Sequence, residues 1–62
     1  MKRERLIRYL EKHGAQFVRE GSRHTVYEYK GALTEIPRHT EIHWILARKI
    51  CKDLDLPPLQ EK

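Results

Sequence analysis

His24 is the side chain here best suited to moving protons near neutral pH, and the residues just before it suit a phosphate. It follows Gly21 and Ser22, a pair that makes a tight turn and lets another backbone or a phosphate come close. Arg19 and Arg23 flank that turn, and a guanidinium matches the geometry of a phosphate better than any other cation a protein carries. The grouping is one for phosphodiester chemistry. Each piece also has a plainer reading: His24 as a polar residue opening an exposed strand, and Ser22 as a turn former rather than a nucleophile, since no Asp-His-Ser arrangement accompanies it.

Three other candidates carry less. His39 and His43 lie four apart and could share a helix face as a metal pair. Pro37 argues against that, His39 is expected to precede the Thr40 cap, Glu41 is not at the spacing of the zinc-protease helix, and no third ligand is evident, so no metal and no cofactor are assigned. Trp44, beside Ile42 and Ile45, reads as core ahead of a partner contact or base-stacking platform. Cys51 reads as a small buried apolar residue.

The elements that must position His24 follow from periodicity. From Lys2 to His13, Leu6, Ile7 and Leu10 recur at helical spacing with charged residues on the other faces, and Gly14 closes the helix. Gln16 to Glu20 reads as a first strand and His24 to Lys30 as a second, with Thr25, Tyr27 and Tyr29 on one face and His24, Val26 and Glu28 on the other. The tyrosine face is expected against the helices, although a register with Val26 inward also fits. Gly31 turns the chain into a short third strand, Leu33 to Ile36, ended by Pro37. Thr40 is the expected N-cap of a second helix whose Ile42, Ile45, Leu46, Ile50 and Leu54 form an apolar stripe, with Pro57 and Pro58 as its stop. The fold expected is α+β, in the order α-β-β-β-α, with a three-stranded antiparallel sheet and both helices on one face. Leu6, Leu10, Ile45, Leu46 and Ile50 are the expected core, and residues 59–62 a frayed tail of a single domain spanning 1–62.

Sixty-two residues allow one thin core, and a single cysteine excludes an internal disulfide and suggests a reducing compartment, the cytoplasm. Thirteen Lys and Arg against nine Asp and Glu give a net charge of +4, which favours a polyanionic or acidic partner. The longest wholly apolar run, Trp44 to Ala47, is too short to cross a bilayer.

These residues resemble a family. Gly21-Ser22-Arg23-His24, Ile36-Pro37-Arg38-His39-x-Glu41-Ile42 and Ala47-Arg48-Lys49-Ile50-Cys51-Lys52-Asp53-Leu54 are similar to the HicA toxins of prokaryotic toxin-antitoxin pairs, and His13-Gly14-Ala15-x-Phe17-Val18-Arg19 fits the same pattern. The likeness runs from Leu6 to Leu56. It implies a ribonuclease of double-stranded-RNA-binding-like fold that cleaves mRNA and is held inactive by a HicB antitoxin, monomeric when free and hetero-oligomeric with its partner. The family's catalytic histidine corresponds to His24, while Pro37, Arg38 and His39 carry over as a structural or RNA-contacting segment. The expected chemistry is attack by the substrate's own 2′-hydroxyl, with His24 as acid or base and Arg19, Gly21, Ser22, Arg23, Arg38 and His39 contacting RNA or steadying phosphate charge. An acidic antitoxin is expected over the face bearing His24. The alternative is a non-catalytic basic module of the same fold that binds RNA or protein.

Overall fold

The computed structural model describes residues 1–59. Helix α1 spans Arg3–Lys12, strands β1, β2 and β3 span Gln16–Glu20, His24–Tyr29 and Ala32–Pro37, and helix α2 spans Trp44–Asp53. The strands form an antiparallel meander in the order β1-β2-β3. The expected α+β order and sheet are therefore present, with the third strand starting one residue earlier and Pro37 as its last residue.

Both helices cover one sheet face. Leu6 and Leu10 of α1, Tyr27 and Ile36 of the sheet, and Ala47, Ile50 and Cys51 of α2 meet in the core, joined by Ala15, Ile42, the C-capping Leu54 and Leu56. The tyrosine face of β2 is the inward one: the Tyr27 hydroxyl donates to Glu11 Oε2 at 2.7 Å, and the Thr34 hydroxyl on β3 donates to Asp53 Oδ2 at 3.2 Å. Burial of Cys51 pushes its thiol pKa up, as suits a packing residue.

Two turns are made by backbone conformation. Gly14 ends α1 at φ +104°, and the β2–β3 hairpin closes on Lys30 and Gly31, at φ +51° and +87°, the two left-handed residues of a type I′ turn. At the N-terminal side, the Ile42 amide donates to the Met1 carbonyl and the Arg3 amide to the Thr40 carbonyl, so residues 40–42 run extended beside the entry to α1.

That pairing changes the start of α2. Thr40 is not its N-cap; His43 is, its Nδ1 accepting from the Ile45 amide at 3.2 Å. The backbone groups at 40 and 42 are spent on Met1 and Arg3, so helical hydrogen bonding begins only at Trp44. The phase of the helix moves with it: Ala47, Ile50, Cys51 and Leu54 point inward, Leu46 is half-buried, and Ile45, expected in the core, is 60% exposed. Trp44 is likewise outside, its ring near His43 and under the Arg48 guanidinium, not in the core. The helix also stops before Pro57 and Pro58. Asp55 takes φ +58° and the Leu56 amide returns to the Cys51 carbonyl at 2.9 Å, a left-handed close that tucks Leu56 inward. Leu59, expected to be loose, packs against the core; the remainder of the expected frayed tail lies outside the described residues.

Candidate active site on the open face of the sheet

Strand alternation and one irregularity build the site. In β2 the inward residues are Thr25, Tyr27 and Tyr29, which leaves His24, Val26 and Glu28 on the helix-free face. Register puts Glu35 of β3 opposite Val26, and therefore on the same open face. β1 would place Val18 opposite Val26 if its pairing ran without a break. Instead the register shifts between Phe17 and Arg19, so that Arg19 faces Val26 and Glu20 faces Thr25. This bulge moves Arg19 to the side of His24 and sends Glu20 to the side of Thr25.

The result is a shallow hollow of about 230 Å³ lined by Arg19, Gly21, Ser22, Arg23, His24, Val26 and Glu35. Val26, only 4% exposed yet apart from the helix-side core, lies between Arg19 and Glu35 as its floor. The His24 side chain is 43% exposed, and its Nδ1 lies 3.9 Å from Glu35 Oε1. That leaves an accessible imidazole beside a carboxylate, with two guanidinium groups on the same rim.

The turn that forms the other wall is braced from outside itself. The Gly21 amide donates to the His24 carbonyl at 2.7 Å, so it belongs to the turn rather than to any ligand. A Cβ at Gly21 would stand 3.1 Å from that same carbonyl, which explains the glycine: the close approach is to its own chain. Arg38 Nη2 donates to the carbonyls of both Gly21 and Ser22 at 2.9 Å, and its Nη1 bonds Glu20. Behind Glu20, the Thr25 hydroxyl donates to the Glu20 carboxylate at 2.9 Å and accepts from Arg3 Nη2 at 2.7 Å, while Arg3 Nε donates to the Pro37 carbonyl at 2.8 Å. A continuous polar chain thus runs from the first turn of α1, through β2 and β1, to the loop after β3 and the turn before His24.

Of the residues singled out from sequence, Arg19, Gly21, Ser22, Arg23 and His24 converge on the hollow. Arg38 stands behind the turn with its guanidinium on backbone carbonyls, and His39 is exposed on the following loop, away from the residues lining the hollow. His39 and His43 form no joint site: His43 caps α2, and Glu41 between them pairs with Lys2 at 3.3 Å. Glu35 was not found by sequence reasoning. Its position on alternate residues from Pro37 is a usable signal once the β2–β3 register is known, because that register sets it diagonal to His24. Arg3, Glu20 and Thr25 carried no local signal at all.

The element order, the antiparallel meander and the two helices on one sheet face define the class: a small basic α+β domain. The family model described as the HicA toxin of bacterial toxin-antitoxin systems matches residues 3–56, and the chain belongs to that family. Comparison with curated proteins and with solved structures gives no match. The chain is accordingly of a toxin family, and among the described residues no helix is long and apolar enough to cross a membrane.

Proposed function

We propose that this toxin is a ribonuclease that cleaves mRNA in the cytoplasm, with the hollow around His24 as its active site. The observation that carries the reading is the convergence of an accessible imidazole, a carboxylate 3.9 Å from it and two arginines in one small concavity. RNA brings its own nucleophile. The 2′-oxygen attacks the adjacent phosphorus, the bond from phosphorus to the 5′-oxygen breaks, one proton leaves the 2′-hydroxyl and one is delivered to the departing 5′-oxygen. His24 and Glu35 are the pair that removes and returns these protons. Arg19 and Arg23 oppose the charge that builds on the phosphate, and Arg38 holds the turn in place, so its part is positioning.

The partner that restrains the toxin is a HicB-like antitoxin with an acidic face, covering the hollow as an anionic substitute for RNA. The chain's net charge of +4 favours such a cover. Binding by this route weakens as salt rises.

The experiment is cleavage of unstructured RNA by purified protein in a chelator, with analysis of the product ends. The expected products carry a 2′,3′-cyclic phosphate, and a DNA of the same sequence is spared. Glu35→Gln lowers the cleavage rate without unfolding the protein. Intact RNA under these conditions overturns the reading and leaves a binding module; cleavage of DNA as fast as RNA removes the 2′-hydroxyl from the mechanism.

A further inference from the structure

The arginines of this chain are not spread over its surface. Of the seven, Arg19 and Arg23 line the hollow of His24, while Arg3, Arg5, Arg8 and Arg38 line a second and larger groove, leaving only Arg48 elsewhere, on α2. That groove, of about 770 Å³, lies between the N-terminal half of α1 and the loop after β3, with Lys2, Glu4 and Thr40 completing its walls. It therefore carries five cationic side chains and one carboxylate. Lys12, Lys30 and Lys52 line neither concavity, whereas Lys49 of α2 lines a wider hollow with Arg19, His24 and Glu35.

The two concavities share a wall. Arg38 lines the groove, and the same guanidinium holds the carbonyls of Gly21 and Ser22, whose residues line the hollow. Arg38 and the turn it holds are where the two meet. Arginine rather than lysine is the choice where phosphate oxygens are met in pairs, and the segregation of arginines along this path matches a chain of phosphates.

We propose that the groove is a second phosphate subsite, in which the RNA backbone flanking the cleaved bond crosses the turn and lies along α1 against Arg8, Arg5 and Lys2. This rests on the ribonuclease reading of the hollow for the identity of the polyanion. The groove makes the enzyme prefer long single strands to short oligonucleotides, because a short substrate has fewer phosphates left for the groove once the hollow is occupied.

The test uses the full chain with His24→Ala, so that RNA survives, and measures binding of a labelled unstructured 15-nucleotide RNA by fluorescence anisotropy over a range of salt. Adding Arg8→Glu, at an exposed position of α1, is expected to lower the slope of log affinity against log salt by about 0.7 or more. At about 0.1 M salt that corresponds to about a fivefold weaker complex, or more. Lys30→Glu makes the same change of charge at the far turn and is expected to weaken binding less. Thermal melts by circular dichroism establish that both variants are folded. Equal losses from the two variants, or no loss from Arg8→Glu, overturn the subsite. The ribonuclease reading fails separately: wild-type protein that binds the 15-mer through Arg8 but leaves it intact keeps the groove and removes the catalysis.

Discussion

The sheet has a turn at each end of β2, and the two are held in opposite ways. Lys30 and Gly31 supply left-handed backbone angles that close their hairpin unaided, a Cβ on Gly31 would meet nothing within 4 Å, and Lys30 merely lays its ammonium 5.2 Å from the centre of the Tyr29 ring. The turn of Gly21, Ser22 and Arg23 has no such left-handed pair. Its shape comes from the Gly21–His24 hydrogen bond and from Arg38, which is itself fixed by Glu20, Thr25 and Arg3. A connection that only joins strands is made from local preference, whereas the turn that presents His24 is tied to three other parts of the fold. On the proposed mechanism, such bracing holds His24 in place while leaving the hollow open to RNA.

That contrast can be broken at the brace. Arg38→Ala removes two hydrogen bonds to carbonyls and a surface ion pair, at a cost of about 1 kcal/mol of stability. The expected loss of RNA cleavage is larger, about tenfold or more, because the turn loses its fixed position. Cleavage rates and thermal melts on the same samples check it, and an activity loss no greater than the stability loss would make the brace ordinary packing.

The two glycines differ in the same way. Gly31→Ala places a Cβ at φ +87° and is expected to cost about 1–2 kcal/mol of stability while leaving cleavage by the folded protein unchanged. Gly21→Ala sets a Cβ against the His24 carbonyl and is expected to shift the turn, so cleavage falls more than stability does. Urea melts beside cleavage rates separate the two, and the reverse pattern would mean that the turns had been assigned the wrong roles.

A smaller effect lies on the covered face. Burial, and then the hydrogen bond to Glu11, push the Tyr27 pKa up to about 12 from its ordinary 10.0. The neutral phenol therefore stabilises the fold fully below about pH 10, and this contribution is lost as pH rises through about 12. Tyr27→Phe is expected to weaken the protein by about 1 kcal/mol at neutral pH and to flatten the decline between those two values. Melts across that range that fall equally for both proteins would place the alkaline loss elsewhere.

What could be read from sequence divides along the same line as the two turns. The order of elements, the ends at Gly14 and Gly31, and the gathering of Arg19 to His24 around one turn are local, carried by periodicity and by neighbours within a few residues. The start of α2 was not legible, because the hydrogen bonds that delay it join Thr40 and Ile42 to Met1 and Arg3 across most of the chain. The exposure of Trp44 and Ile45 followed from that delay. The bulge at Val18 was equally hidden, since Phe17 and Val18 are both apolar and neither marks the extra residue that turns Arg19 towards His24. Glu35 needed the strand register, and the Arg3–Thr25–Glu20–Arg38 chain needed the whole fold.

On the proposed mechanism the imidazole held by this braced turn carries the chemistry, and the cleavage rate of His24→Ala reports on it without an intermediary. Single-turnover cleavage of an unstructured RNA in a chelator is compared for wild-type and variant proteins shown by circular dichroism to melt alike. The half-exposed side chain of His24 lies outside the core, and a loss of about 100-fold or more is expected for a general acid-base group. Cleavage at the wild-type rate by the folded His24→Ala protein would contradict the account.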